Sequence, residues 1–393
     1  MNHPLHIVMI GVAAHGHMNP QLPVVAELVA RGHRVEVTTP PPFAAAVAAT
    51  GASVVEVGSV LPDEERGETW SDDPVAGMAR FLAEGRHVLP QAVSAFDADR
   101  PDVLIGDIGA YAARVLAHRW DRPLVQLSPT YVAWEGYERD MAEVLDGLRA
   151  MPGYPAYQED FAAWLAAEDV PLDLDTFTGR PPRSAVLVPR ALQPNADEVD
   201  AARYTFVGPA LDTRAHQDEW PTPERPVVLV SLGSAYSAPP SFYRACLDAF
   251  ADLDRDVVVK TGPLVDPDDL GPVPRNASVH RWVPQLALLE HASAFVTHAG
   301  MGGCSEGLWH GVPMVAVPQA VDQFGNADRL VELGVARRLD VDATAETLRA
   351  TVTALESDED VAARSAALRA ELRASGGAAG AADLIEEAAA RRS

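Results

Sequence analysis

The segment from residue 294 to residue 311 constrains the fold of this chain more than any other. The run Ala294 to Thr297 is short and apolar, as expected of a buried strand. It leads through His298 into a glycine-rich turn, and then into a helix that Gly311 ends. At such a turn, free backbone N–H groups and the positive end of the helix dipole face any bound anion. The segment therefore predicts a parallel α/β sheet with a phosphate-binding site at one edge.

The same alternation of strand and helix runs through the first half of the chain. Apolar, β-branched runs predict strands at residues 5–11, 33–38, 53–57, 101–106 and 124–127, with helices between them. This order predicts a doubly wound parallel sheet. A near-continuous apolar strand at 227–232 opens a second series, so we expect two such sheets. Residues 208–226 carry four prolines and several charges, which is typical of a linker.

Composition excludes several classes of function. The chain has 393 residues, enough for two domains, and its formal net charge is -25. So negative a chain repels nucleic acid and anionic membranes, and we expect neither as a partner. We find no signal peptide and no apolar run long enough to span a bilayer. Two cysteines, Cys246 and Cys304, cannot form a disulfide framework, so we expect a cytoplasmic protein. We expect it to be either a monomer or a homodimer.

Several short motifs follow one another in order along nearly the whole chain. They are AAHGHMNP at residues 13–20, SLGSA at 231–235, Trp282-Val283-Pro284-Gln285, His298-Ala299-Gly300, Glu306 and Asp322-Gln323. A single one of them would mean little, but together they form a specific pattern, which resembles that of the family 1 nucleotide-sugar glycosyltransferases. The sequence of residues 318–327 is most similar to bacterial macrolide glycosyltransferases.

The resemblance implies the GT-B fold, in which two doubly wound, Rossmann-like domains face each other across a cleft. We expect an acceptor-binding domain with the catalytic base at 1–207, a linker at 208–226 and a donor-binding domain at 227–377. Residues 378–393 would form a C-terminal helix that crosses back to the first domain, because Leu384 and Ile385 give it an apolar face that must pack on something.

The resemblance also implies a donor site in the second domain. Trp282 would stack on the uracil ring, Glu306 would accept the ribose hydroxyls and His298 would donate to the diphosphate. Asp322 and Gln323 would hold the sugar. The full set of expected donor-binding residues is Ser234, Trp282, Val283, Gln285, His298, Gly300, Gly302, Gly303, Cys304, Ser305, Glu306, Asp322 and Gln323. Cys304, Ser305 or main-chain N–H groups could serve the α-phosphate.

For catalysis, the resemblance implies that the first histidine of the HGH motif is the base. We expect His15 to take the proton of the acceptor and Asp107, at the end of the fourth strand, to orient its ring. His17 is interpreted as a structural turn residue. An imidazole is the natural base near neutral pH, and a carboxylate at the same sheet edge is placed to support it.

Residues 128–181 have the highest density of aromatic side chains, and most of them should pack in a core. One or two would line an apolar acceptor pocket. The residues expected to contact the acceptor are Trp70, Met78, Phe81, Ile108, Ser128, Trp134 and Ala235.

We therefore predict an inverting, metal-independent O-glycosyltransferase that moves a sugar, most simply glucose, from a UDP-sugar to a bulky apolar natural product. No cofactor is expected, since Asp-x-Asp pairs such as those at 97–99, 173–175, 252–254 and 340–342 lie apart from the motifs, as chance would place them in a chain with 56 acidic residues. Two alternatives stay open: a dTDP-deoxysugar transferase of antibiotic biosynthesis, and a non-catalytic protein that binds nucleotide sugars and assists another transferase.

Overall fold

The chain divides into two compact units, each built around one parallel sheet. The computed structural model describes residues 3–63, 66, 68, 70–71, 73–211, 220–233, 238–320 and 322–391. One unit comprises Met1–Ala215 and Gly376–Ser393, and the other comprises His216–Ser375. The expected donor residue Ser234 and the expected acceptor residue Ala235 lie outside the described residues.

The first unit contains a seven-stranded parallel sheet. Its strands are β1 (His6–Ile10), β2 (Arg34–Thr39), β3 (Ser53–Glu56), β4 (Val103–Asp107), β5 (Leu124–Ser128), β6 (Ser184–Val186) and β7 (Tyr204–Phe206). They lie in the order β3-β2-β1-β4-β5-β6-β7, so the direction of winding reverses between β1 and β4. Both faces of β4 and β5 are fully buried, which explains why these strands read as apolar runs rather than as an alternation.

Helices cover this sheet and connect its strands. They are α1 (His15–Ala30), α2 (Pro41–Ala49), α3 (Pro74–Phe96), α4 (Tyr111–Trp120), α5 (Tyr137–Asp140), α6 (Ala142–Arg149), α7 (Tyr154–Ala167) and α8 (Leu174–Gly179). The aromatic side chains of the 128–181 segment mostly enter the core, as expected. Phe161 and Phe177 are at most 1% exposed, and each meets Tyr111 edge-on.

The second unit contains a six-stranded parallel sheet in the order β10-β9-β8-β11-β12-β13. Its strands are β8 (Val227–Ser231), β9 (Asp256–Lys260), β10 (Ala277–His280), β11 (Ala292–Thr297), β12 (Met314–Ala316) and β13 (Ala336–Arg338). Its helices are α9 (Pro240–Phe250), α10 (Gln285–Leu289), α11 (Met301–His310), α12 (Gln323–Glu332), α13 (Ala345–Ser357) and α14 (Glu359–Ala374). Here the winding reverses between β8 and β11.

The last helix, α15 (Gly377–Ala390), packs on the first unit against α1, β4 and β5. The Gly377 N–H donates to the Val207 carbonyl at 2.6 Å, and the Ile385 side chain is completely buried. Glu386 faces α1 and β2, where its carboxylate lies 2.8 Å from His33 Nε2 and 3.2 Å from an Arg31 nitrogen. The apolar face read from the sequence thus covers one side of the first sheet.

No helix within the described ranges is long and apolar enough to cross a membrane.

Candidate active site

The reversal of winding between β1 and β4 places two loops side by side at the carboxyl edge of the first sheet. Ligands of doubly wound folds bind in the crevice that forms at such a point. Four residues lie between the end of β1 and the start of helix α1, and Asp107 is the last residue of β4. Side chains from α1 and from the end of β4 therefore meet there.

Asp107 is the centre of this group. It is 2% exposed, and its Oδ1 lies 2.8 Å from Nδ1 of His17. Its Oδ2 accepts a hydrogen bond from Nε2 of Gln21 at 2.5 Å, and the backbone N–H of Gly109 donates to Oδ1 at 2.8 Å. The carboxylate is therefore fixed by three donors, as a buried charge requires.

The expectation that Asp107 orients His15 is wrong. The ring of His15 lies against Phe43, with centroids 4.9 Å apart. The reason is that α1 begins at His15, whereas His17 was interpreted as a turn residue. Residues His17 and Gln21 are then four apart on one helix and share the face that meets Asp107. That spacing is the signal in the sequence that would have identified them.

The contact with Asp107 also determines which nitrogen of the His17 ring carries the proton. A carboxylate only accepts hydrogen bonds, so Nδ1 of the neutral ring carries the proton and Nε2 keeps its lone pair. The His17 side chain is 25% exposed, whereas that of Asp107 is 0% exposed. The ring is thus accessible while its partner is not, which is the arrangement that a general base requires.

Aromatic side chains from the expected acceptor set lie beside His17. The Phe81 ring is 5.8 Å from the His17 ring, and Trp70 stacks on Phe81 at 5.4 Å with an interplanar angle of 21°. A Cβ at Gly109 would lie 2.7 Å from the Phe81 ring, so only glycine permits this approach. Met78 is half-buried against the same core.

Other members of the expected acceptor set are engaged elsewhere in the unit. Ser128 is fully buried, and its hydroxyl donates to the Thr130 carbonyl at 3.0 Å. Trp134 donates from its indole N–H to Asp140 at 2.8 Å and meets Tyr137 edge-on. Ile108 directly follows Asp107 and is half-buried. The structure thus joins Trp70 and Phe81 to His17, and it places Ser128 and Trp134 in separate interactions.

In the second unit, His298 follows β11 at the corresponding reversal of winding. Its imidazole fills the space between two glycines. A Cβ at Gly233 would lie 2.6 Å from the ring, and one at Gly300 would overlap Nε2. Gly233 also has φ +85°, a conformation that favours glycine. The sequence indicated Gly300, but the role of Gly233 depends on packing between two distant segments.

Burial makes His298 a neutral side chain. Desolvation, with a smaller contribution from Lys260, lowers the pKa of His298 to about 4. Within the part of the chain that the structure describes, Nδ1 of this buried ring has no hydrogen-bond partner. An orphaned polar atom of this kind calls for an explanation, and a ligand at the turn would supply one.

A chain of polar side chains crosses from the end of β8 to α11. The Ser231 hydroxyl donates to Oε1 of Gln285 at 2.6 Å, and Nε2 of Gln285 donates to Glu306 at 2.6 Å. Glu306 is 5% exposed. Gln285 therefore positions the Glu306 carboxylate. Nearby, Val283 is buried while the neighbouring Trp282 indole is 52% exposed, which leaves a large ring accessible at this edge of the sheet.

Helix α11 begins directly after Gly300. The Cys304 N–H already donates to the Gly300 carbonyl at 3.0 Å, so the N–H groups of residues 301–303 precede the first helical bond. Burial of the Cys304 thiol raises its pKa well above the usual range, and Ser305 is also buried. The earlier amides, including those of Gly302 and Gly303, can donate to an anion at this turn. A role for Cys304 or Ser305 in binding the α-phosphate stays a prediction.

Asp322 and Gln323 take different places at the start of α12. Gln323 is 2% exposed, and its Oε1 accepts from the backbone N–H groups of Gln319 and Ala320 at 2.8 and 3.2 Å. It thus fixes its own loop. Asp322 accepts from Nδ2 of Asn326 at 2.9 Å, and the same amide donates to the Ala299 carbonyl at 3.0 Å. Asn326, which the sequence did not single out, links Asp322 to the turn after His298.

Among the described residues, no group of three or more His, Cys, Asp or Glu side chains is placed to hold a metal ion.

Comparison with known proteins agrees with this architecture. The family model described as UDP-glucoronosyl and UDP-glucosyl transferase matches residues 184–361. The chain is 50% identical to oleandomycin glycosyltransferase of Streptomyces antibioticus, over 98% of this chain and 90% of the relative. It is 36% identical to an NDP-glycosyltransferase of Bacillus licheniformis, over 97% of both chains.

Among solved structures, the glycotransferase of kitacinnamycin is similar, with a TM-score of 0.91 and 48% identity. The alignment covers 99% of this chain and all of the other.

Proposed function

This chain belongs to the UDP-glucoronosyl and UDP-glucosyl transferase family, and on that premise we propose a specific reaction and mechanism for it. It is a glycosyltransferase with the GT-B fold, as its sequence motifs predicted. The proposed reaction is inverting transfer of glucose from UDP-glucose to a hydroxyl of a bulky apolar natural product such as a macrolide. The observation that carries it is the contact between His17 and Asp107 at the reversal of winding in the first sheet.

In the proposed mechanism His17, rather than His15, is the general base. Asp107 holds the proton on Nδ1, so that Nε2 accepts the proton of the acceptor hydroxyl. The acceptor oxygen then attacks the anomeric carbon of the sugar and the bond to the UDP oxygen breaks, which inverts the configuration. Asp107 also stabilises the imidazolium that forms. Gln21 supports this role because it fixes the second oxygen of the carboxylate.

The second unit would bind the donor. The exposed Trp282 ring offers a stacking surface for the base, and the buried Glu306 offers acceptors to the ribose hydroxyls. The N–H groups at the start of α11 and the neutral imidazole of His298 would donate to the diphosphate. Because these groups are placed before the reaction, they stabilise the charge that develops on the leaving UDP. Preorganised donors could thus do the work of a metal ion, and we infer that the reaction needs none.

An apolar acceptor is supported by the surroundings of His17. Phe81 and Trp70 form a stacked pair beside the ring, which offers a flat apolar surface. The relative named for oleandomycin, similar over nearly the whole chain, also favours a large natural product as acceptor. The assignment of glucose as the sugar rests on the resemblance, which implies that Asp322 holds the sugar. A carboxylate accepts hydrogen bonds from hydroxyl groups, and this suits a hydroxyl-rich sugar.

One experiment tests this function. Purified protein is incubated with UDP-glucose or dTDP-glucose and with macrolide, polyketide and flavonoid acceptors, and products are identified by mass spectrometry. The proposal predicts a hexose adduct that forms from UDP-glucose, with a β-linkage by nuclear magnetic resonance, because UDP-glucose carries an α-linkage. Transfer only from dTDP-glucose would contradict the donor assignment, and an α-linked product would contradict inversion.

A further inference from the structure

Lys260 is the only lysine of the 393-residue chain. Thirty arginines supply every other cationic side chain apart from histidine. Lys260 is also the last residue of β9, at the carboxyl edge of the second sheet. None of the sequence motifs includes it, and the mechanism above does not use it. Its position next to β8 and β10 is what suggests a role.

The sheet register places Lys260 in a row of residues with known orientation. Lys260 pairs with Ser231 of β8, and Ser231 pairs with Thr297 of β11. Residues paired in register on parallel strands direct their side chains to the same face of the sheet. Ser231 contacts Gln285 of α10, and Thr297 Oγ1 lies 3.0 Å from where a Cβ of Gly303 in α11 would be. The Lys260 side chain therefore leaves the sheet on the face that α10 and α11 cover.

That face carries the Glu306 carboxylate. Burial lowers the pKa of Lys260, and the charge of Glu306 opposes this effect, so the two groups interact electrostatically. Gln285 contributes no charge to the chain from Ser231 to Glu306, and a nearby cation stabilises the negative charge of a side chain that is 5% exposed. The sheet register places the Lys260 side chain, a cation, on the same face as this carboxylate.

We propose that Lys260 is a positioning residue of the donor site, which balances the charge of Glu306 and so holds that carboxylate in place to accept the hydroxyls of a ribonucleoside diphosphate. The inference rests on the proposed function, since it requires that Glu306 accepts hydrogen bonds from the ribose hydroxyls. Its consequence is that Lys260 determines how strongly the protein prefers a ribonucleotide over its 2′-deoxy counterpart, although it contacts neither.

The test measures the affinity of the full chain for UDP and for 2′-deoxy-UDP by calorimetry. Lys260→Met should reduce the preference for UDP roughly tenfold, the effect of losing one charge-assisted hydrogen bond, while 2′-deoxy-UDP binds as before. Lys260→Arg should retain most of the preference. In a Glu306→Gln background, Lys260→Met should change the preference no further. The matched control is Arg281→Met, which removes an exposed cation that pairs with Asp266 at 2.5 Å.

Because the chain has one lysine, selective ¹³C labelling of lysine gives a single side-chain signal. Glu306→Gln should shift this signal, whereas Arg281→Met should leave it in place. An unmoved lysine signal in Glu306→Gln would overturn the inference even if Lys260→Met does not fold.

Two further outcomes separate the inference from the proposed function. Equal loss of affinity for both nucleotides in Lys260→Met, or no loss at all, would overturn the role of Lys260 alone. A wild-type protein without any preference for UDP over 2′-deoxy-UDP would overturn the ribose role of Glu306, and the inference with it.

Discussion

The carboxylate of Asp107 lies 2.8 Å from Nδ1 of His17, and this contact determines which nitrogen of the ring can accept a proton. The two residues are brought together by the strand order, since β1 and β4 are neighbours although 92 residues separate Ile10, the last residue of β1, from Val103, the first residue of β4. Asp107 is buried and held by Gln21 and Gly109 as well, so it cannot turn away from the ring. The proposed chemistry depends on this arrangement.

Replacing Asp107 with asparagine should impair transfer without unfolding the protein. The amide can donate to Nδ1 of His17 and thereby favour the tautomer that lacks a lone pair on Nε2. We expect kcat to fall by an amount smaller than that for loss of the base, which is ~10²–10⁴-fold. Asp102→Asn is the matched control, because Asp102 accepts a backbone hydrogen bond just before the same strand. Equal kcat values in the two variants would refute the orienting role.

Gly300→Ala tests the close packing of Gly300 against the His298 ring. The φ of Gly300 is -62°, so alanine introduces no backbone strain, but its Cβ would overlap the imidazole. Overpacking of this kind costs about 1–3 kcal/mol, and the displaced ring can no longer face a diphosphate. Calorimetry with UDP should show weaker binding. Gly325→Ala in α12 is the control, because its Cβ would meet nothing within 4 Å. Unchanged UDP affinity in Gly300→Ala would show that His298 is not a ligand.

Transfer should survive removal of divalent metals. The groups proposed to hold the diphosphate are backbone N–H groups and a neutral imidazole, whose donor strength does not depend on a metal. The measurement is the initial rate after dialysis against EDTA, compared with the rate after Mg²⁺ or Mn²⁺ is restored. A rate that vanishes in EDTA and returns with either ion would contradict the metal-free mechanism.

Ile385→Ala should destabilise the first unit without affecting donor binding. Ile385 is fully buried in α15, and such truncations cost roughly 2–5 kcal/mol. Calorimetric unfolding should show a lower transition temperature, while UDP affinity stays at the wild-type value. Glu387→Ala, at an exposed position of the same helix, should have little effect. Weaker UDP binding with an unchanged transition temperature would contradict this assignment of α15.

The alternation of apolar strands and helices was enough to predict both parallel sheets. Prolines, glycines and a change in periodicity mark the ends of helices such as α3 and α4. The helix that carries His17 was different. Its N-cap, Ala14, makes no side-chain capping bond, and it contains Pro20 and Pro23, so nothing local marks its start at His15. An error of a few residues in that start assigned Asp107 to the wrong histidine.

The roles of residues that act through packing could also not be predicted from the sequence. Gly233 packs against the His298 ring and Lys260 interacts electrostatically with Glu306, and both relationships depend on which strands are neighbours. Asn326 likewise gains its role from two acceptors, Asp322 and the Ala299 carbonyl, that a motif does not display. A motif identifies residues that contact a ligand, whereas the residues that hold them become visible only in the fold.

The most direct test compares His17→Ala with His15→Ala. Each variant is assayed for kcat with UDP-glucose and one accepted acceptor, and for UDP affinity by calorimetry. We expect His17→Ala to lose ~10²–10⁴-fold in kcat with UDP affinity unchanged, because the base does not belong to the donor-binding unit. His15→Ala should keep most of its turnover, since its ring packs on Phe43. Near-normal turnover in His17→Ala, together with a loss of turnover in His15→Ala, would contradict the assignment of His17 as the general base.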